Sequence, residues 1–329
     1  MKLPRGQFLR LATGTAALSA VSRIAWAQTY PTRPVRIVVG FPPGGGADIT
    51  ARLIGQWLSE RLGQPFIIEN RPGAGSNIAT EAVVRAPPDG YTLLLVGAFN
   101  AVNATLYDKL NFNFIRDIAP VATMYYAPNV MAVHPSFPAK TIPEFIAYSK
   151  SNPGKVNMGS GTTGATMHMS GELFKIMAGI DMVPVPYRGG GPAVQDMAAG
   201  QLDLMFDQAA NALGPVRAGT VKAYAVMSKA RWSALPNVPS ADESGTPGLY
   251  VAYWHAMWAP KGTPKDVIAS LHTALVETLA DPSVRQRLTD LGQGLWPRDK
   301  QTPEALAAQQ KAEIEKWWPI IKAANIKAE

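Results

Sequence analysis

The chain has no cysteine among its 329 residues. That excludes disulfides, thiol catalysis and thiolate metal sites. Histidine is scarce: His134, His168, His255 and His272 are the four, and no two stand at i, i+4 spacing. A histidine metal site could arise only by long-range convergence, so no metal and no cofactor is expected. There is no G-x-S-x-G nucleophile elbow and no Walker loop with its lysine. No apolar run is long enough to span a bilayer. No basic run carries interleaved aromatics, and the formal charge of +7 is concentrated at the start. Lys2, Arg5, Arg10 and Arg23 fall before residue 28 with no acid among them, which leaves +3 for the rest. So mild an excess does not call for nucleic acid as a partner.

What is present begins with a leader. A basic start, a small apolar run over 11–21 and Ala25-Trp26-Ala27 fit an export signal over 1–27, cleaved before Gln28. Arg5-Gly6-Gln7-Phe8-Leu9 is similar to a twin-arginine signal with glycine in place of the second arginine, which leaves the export route open. The mature chain is expected to be soluble and periplasmic. Its length suits two domains, and 47% apolar content marks it as globular.

The chain is organised around the stretch 35–62. Val35-Arg36-Ile37-Val38-Val39-Gly40 reads as a buried strand. Phe41-Pro42-Pro43-Gly44-Gly45-Gly46 ends it, and Asp48 reads as the N-cap of a helix over 49–62. Such a corner is either a plain βα turn or an anion cradle, with unbonded backbone N–H groups and the helix dipole facing the loop. The same corner recurs. A strand at Phe66-Ile67-Ile68-Glu69 leads into Gly73-Ala74-Gly75-Ser76-Asn77 and a helix over 78–85; a third strand over 92–96 ends in a loop at 97–103. Extended chain over 121–133 is expected to break at Pro128, and a helix follows over 141–151. The second half repeats strand, glycine loop and helix at 156–177, 182–199 and 202–208, with a further strand at 221–227. A strand at 253–259 and helices over 265–280, 282–291 and 303–323 close the chain. Two α/β lobes follow, with loops gathered at the carboxyl ends of their strands.

Gly159-Ser160-Gly161-Thr162-Thr163-Gly164 matches G-x-G-x-x-G. A dinucleotide reading needs an acid at the end of the next strand, but Asp181 precedes that strand and Tyr187-Arg188 ends it. The hydroxyls of Ser160, Thr162, Thr163 and Thr166 suit a small carboxylate better. His168, in the first turn of the following helix, either donates to a ligand or fastens the loop. One of Tyr187 and Arg188 is expected at the ligand, Arg188 reading equally as a surface charge. Asp207 is either an acceptor for a ligand amine or hydroxyl, or a turn former. No activated nucleophile stands beside Asp48 or Asp207, so an enzyme is not expected.

The order Phe41-Pro42-Pro43-Gly44-Gly45 with Asp48, then Asn70-Arg71-Pro72-Gly73-Ala74-Gly75, then Asp89-Gly90-Tyr91 resembles the Bug receptors, the substrate-binding proteins of tripartite tricarboxylate transporters. Gly159 to Gly164 with Thr166 and His168, Pro186-Tyr187-Arg188-Gly189-Gly190, and Trp254 before Ala259-Pro260-Lys261-Gly262-Thr263-Pro264 extend the resemblance over about residues 29–325. It implies an α/β, two-lobed periplasmic-binding-protein-like fold of type II. Each lobe would be a mainly parallel sheet flanked by helices, with the ligand cleft between them. Lobe 1 would hold 29–128 plus 250–329, and lobe 2 would hold 129–249. It further implies a monomeric receptor that passes a small organic carboxylate to the membrane subunits of such a transporter. Carried onto this chain, it points to Phe41, Pro43, Gly44, Gly45, Asp48, Gly75, Ser76, Ala98, Phe99, Ser160, Gly161, Thr162, Thr166 and Asp207 as ligand contacts, beside the His168 and Tyr187 read above. Thr166 stands where the family often has serine, and keeps the hydroxyl.

Overall fold

The computed structural model describes residues 30–97, 99–107 and 109–328. The leader over 1–27 lies outside them. The first sheet starts with β1 (Val35–Val39), α1 (Gly46–Leu62), β2 (Phe66–Asn70), α2 (Asn77–Val84) and β3 (Thr92–Gly97). β1 pairs in parallel with β2 and with β3. β1 and β3 are apolar almost throughout and nearly wholly buried, as strands covered on both faces must be. After β3 come α3 (Phe99–Leu106), α4 (Phe114–Asp117) and the long strand β4 (Ile118–Val133).

β4 belongs to both sheets. Its first part, Ile118 to Pro128, lies antiparallel to β9 (Ala252–Pro260), which in turn lies antiparallel to β3. Its last part, from Asn129 on, is sandwiched antiparallel between β7 (Leu204–Gln208) and β8 (Lys222–Val226). Parallel to β7 follow β5 (Asn157–Ser160) and β6 (Val183–Pro186). The expected break at Pro128 does not occur. Pairing with β9 ends at Pro128↔Ala252 and pairing with β8 begins at Val130, so the missing proline N–H falls where the ladder changes partner. A one-residue register shift beside Pro120 serves the same purpose.

The directions have a consequence. β1, β2 and β3 run the same way as β4, and β5, β6 and β7 run against it. The carboxyl edges of the two sheets therefore face each other across the point where β4 changes sheet. At that point Asn129 N–H donates to the Val251 carbonyl, Val251 N–H to Met227 and Met227 N–H to Asn129. This backbone ring ties the outgoing and returning strands.

Helices cover both faces: α5 (Ile142–Ser151), α6 (Thr166–Ala178), α7 (Gly190–Ala198) and α8 (Ala209–Ala218) in the middle of the chain, and α9 (Lys265–Ala280), α10 (Pro282–Asp290), the short strand β10 (Gly294–Leu295) and α11 (Pro303–Ala323) at its end. Two differences from the sequence reading matter. The loop expected at 97–103 is helical from Phe99 because Val102 and Leu106, four apart, are both buried. α8 was not foreseen. Its buried positions Ala209, Ala212 and Leu213 are small or interrupted, so the apolar stripe is weak in the sequence.

Three of the large buried aromatics, Tyr125, Trp254 and Trp258, sit in the first sheet. Trp258 is fully buried, with Phe114 edge-on at 5.0 Å between ring centroids. Trp258→Ala is expected to lower unfolding free energy by about 3–5 kcal/mol. Urea denaturation followed by circular dichroism checks this, and a loss under about 1 kcal/mol contradicts the packing described.

Candidate functional site

A cavity of about 240 Å³ lies between the two carboxyl edges. The first sheet contributes Phe41, Gly75, Ser76, Gly97, Asn100, Asn103 and the β9 run Tyr253-Trp254-His255. The second contributes Gly161 to Met167, Arg188 to Gly190, Asp207, Gln208 and Asn211.

The wall is built largely from helix beginnings. α2, α6, α7 and α8 start at or beside Ser76, Ala165, Gly189 and Gln208, all in the wall, and none of these four starts has a side-chain cap. Four helices away from the cavity are capped by side chains: Asn113, Thr141, Asp281 and Thr302 bond the first amides of α4, α5, α10 and α11, while α1 and α9, entered at Gly45 and Pro264, lack such a cap as well. Uncapped first-turn N–H groups require an outside acceptor, and the summed dipoles favour an anion. Asn103 donates to the Gly75 carbonyl at 3.0 Å and to Asn77 Oδ1 at 2.7 Å, and Asn100 donates to Thr80 Oγ1 at 3.2 Å. These bonds fix the 73–77 loop against α3. Gly164, at φ +82°, is pressed so closely on Leu106 that a Cβ would come within 2.3 Å of its Cδ1.

Of the residues picked from the sequence, Phe41, Gly75, Ser76, Gly161, Thr162, Thr166 and Asp207 meet in this wall. Ala98 lies outside the described residues, as does the Phe99 side chain. Pro43, Gly44 and Gly45 are exposed and outside the wall. Asp48 is not the helix N-cap either. Gly45 holds that position, and α1 already starts at Gly46. The Asp48 carboxylate reaches back to the Gly44 N–H at 2.9 Å and pairs with Arg52 at 3.0 Å. Burial works to raise its pKa, but the Arg52 and Gly44 bonds hold it below the usual range. Its charge is thus used on α1 and the loop that enters it. Ser160 is buried under the wall, with Oγ on the Gly161 carbonyl at 3.2 Å. His168 fastens the loop: its Nδ1 accepts the Gly164 N–H at 3.3 Å, and burial keeps the ring's pKa low. Tyr187 donates its hydroxyl to Asp196 at 2.7 Å, leaving its neighbour Arg188 to the cavity.

The residues missed lie mostly on α8 and β9. Tyr253 and His255 alternate with Trp254 on a strand that reads as core, more than 40 residues beyond the last loop considered. The signal available was one polar ring, His255, inside an otherwise apolar run.

Two buried ionisable groups face the cavity. Asp207 is 4% exposed; its oxygens accept the Gln208 N–H at 2.7 Å and the Asn211 amide at 2.9 Å. Burial outweighs both bonds and pushes its pKa up to about 6. His255 is 5% exposed, and burial lowers its pKa to about 3, so the ring is neutral. Among the described residues no group of three or more histidine, cysteine or acidic side chains could hold a metal ion.

These shifts act on stability in opposite directions. The Asp207 pKa in the fold lies above its ordinary 3.8, so its ionised form is held less well than in the unfolded chain. The cost appears as pH rises from about 4 to 6 and reaches about 3 kcal/mol above that. The His255 cost instead grows as pH falls below 6.5. Comparing Asp207→Asn with the parent at each pH isolates the first. The substitution is expected to raise the melting temperature more at pH 7.5 than at pH 4.5; an equal change at both pH values contradicts the buried, cation-free setting.

With the geometry in place, comparison with known proteins is direct. The chain is similar to the periplasmic binding protein BugD, at 37% identity and a TM-score of 0.81, covering 91% of this chain and 100% of that one. It is similar to MatC from Rhodopseudomonas palustris with bound malate, at 36% identity and a TM-score of 0.81, covering 89% and 100%. A second R. palustris protein, solved with adipate, gives 34% identity and a TM-score of 0.81, covering 91% and 99%. The architecture is therefore that of the two-lobed periplasmic solute-binding proteins, and its relatives are solute-binding receptors, not enzymes. Residues 50–326 match the Tripartite tricarboxylate transporter family receptor, and the chain belongs to that family.

Proposed function

We propose that this protein is a periplasmic receptor that captures one small organic carboxylate between its lobes and delivers it to the membrane subunits of a tripartite tricarboxylate-type transporter. The observation that carries the reading is the set of four uncapped helix starts opening into one cavity. A carboxylate supplies the acceptors they lack, and a hydrogen bond to a charged group is worth about 1.5–3 kcal/mol. Arg188, exposed and without a hydrogen-bond or ion-pair partner among the described residues, adds a cation at the rim. Phe41 and Tyr253 supply apolar surface for the carbon skeleton. The malate and adipate bound by two similar proteins support an acid of this size. The basic and apolar leader supports export, with the mature chain starting at Gln28 and acting as a monomer. We take lobe 1 as 29–128 plus 250–329 and lobe 2 as 129–249, joined at the backbone ring around Asn129, so that closure is a hinge motion.

A thermal-shift screen of mono-, di- and tricarboxylates tests the reading. The matching acid at 100 times its Kd should stabilise the protein by about 2.7 kcal/mol; no shift with any acid overturns it. A Cβ at Gly190 would fall 2.0 Å from Asp207 Oδ2 and 2.5 Å from Asn211 Nδ2. Gly190→Ala therefore has to displace both side chains, and is expected to weaken binding of that acid at least about tenfold, or 1.4 kcal/mol. Calorimetry checks this beside a native circular dichroism spectrum, and unchanged affinity removes the α7 start from the site.

A further inference from the structure

His255 is the anomaly in the cavity wall. It is 95% buried by its 5% exposure, and neither ring nitrogen has a hydrogen-bond partner. Its ring neighbours are aromatic: Phe41 edge-on at 4.9 Å, Tyr253 edge-on at 5.6 Å and Tyr125 tilted at 5.1 Å. A phenylalanine would fill the same space among these rings without leaving polar atoms unpaired. A buried donor or acceptor without a partner is destabilising by about 1–3 kcal/mol. The strand pattern sets its direction. Trp254 sends its indole N–H the other way, to Glu313 at 3.3 Å, so Tyr253 and His255 share the opposite face of β9. Both line the cavity, and the Asp207 carboxyl across it acts electrostatically on Tyr253.

We infer that His255 is a specificity-determining residue whose neutral imidazole bonds an uncharged hydroxyl on the ligand, so that the preferred solute is a hydroxylated carboxylic acid. This rests on the carboxylate reading above and names the substrate class within it. The chemistry discriminates between candidate groups. A neutral imidazole has one N–H donor and one lone-pair nitrogen. A second carboxylate satisfies only the donor nitrogen, and an ammonium only the acceptor nitrogen. A hydroxyl both donates and accepts, so it pairs with either ring nitrogen in either tautomer. The helix starts then hold the carboxylate and the β9 face reads the hydroxyl. A site that hydrogen-bonds a ligand hydroxyl rejects the analogue lacking it, because the protein group is then left unpaired.

Calorimetry with three acid pairs tests the inference: succinate and malate, glutarate and 2-hydroxyglutarate, benzoate and 4-hydroxybenzoate. In the unmodified protein the hydroxylated member of the pair that binds should be tighter by at least about tenfold. His255→Phe should bring the two members within about twofold, mainly by weakening the hydroxylated acid, while His255→Gln should retain part of the preference. The ligand-free His255→Phe protein should melt no lower than the parent, since the unpaired nitrogens are gone. Two results overturn the inference alone: acids that bind with no preference for the hydroxylated member, or a preference that survives His255→Phe. Failure of the unmodified protein to bind any of the six acids overturns the carboxylate reading and this inference with it.

Discussion

One strand in two sheets is the constraint from which the rest follows. β4 pairs with β9 until Pro128 and with β7 and β8 from Val130, and it cannot reverse in between. Parallel strands in the first sheet and antiparallel partners in the second then turn both carboxyl edges toward each other. In α/β sheets the carboxyl edge is where helix starts and ligand loops collect. Here two such edges share one space, so helix starts from both sheets open into one cavity. A concentration of backbone donors that neither sheet could build alone results from strand direction, without any lysine in the wall.

Electrostatics in that space is set by burial more than by ion pairs. Asp48, the acid most prominent in the sequence, spends its charge on Arg52 and the Gly44 amide. Asp207 has two amide partners but no cation, His255 has no hydrogen-bond partner, and both shift toward their neutral forms. The cavity thus holds an acid that ionises only as pH rises through about 6 and a ring held uncharged, with positive helix ends and Arg188 about them. Ionised Asp207 opposes an anion, and protonating it below about pH 6 removes both that opposition and the stability cost worked out above.

The sequence made the sheets legible where strands were apolar and ended in glycine. The corners at 73–77 and 159–166 reach the cavity as read. The most conspicuous corner, Phe41 to Asp48, does not, apart from Phe41: its tip at Pro43 to Gly45 is exposed, and Asp48 is paired with Arg52 one turn on in α1. Pro128 looked like a break because a local rule was applied where the ladder exchanges partners. Asn211 was missed with α8, whose apolar stripe is weak, and Tyr253 and His255 were missed because they reach the site only through the tertiary pairing of β9 with β3 and β4. The G-x-G-x-x-G run lacks an acid after the next strand, and its Gly161 to Gly164 lie in the cavity wall. The structure gives His168 the structural of its two readings.

The core is less divided than the sheets. Val102 and Leu106 of α3, and Trp317 and Ile321 of α11, pack in one apolar cluster with Met131, Phe145 and Phe174 of the second sheet's surroundings. Ala209, Ala212 and Leu213 of α8 pack instead with Val121, Tyr253 and Leu271 beside the first. Apolar packing of this density does not deform continuously. A hinge at Asn129 and Val251 must therefore carry α3 and the end of α11 with the second sheet, or break their contacts. Carrying them moves Asn100 and Asn103, which hold the Gly75 loop, so the uncapped start of α2 is coupled to the position of the opposite sheet. The same bonds that shape the 73–77 loop thereby make its geometry depend on how the two sheets are set.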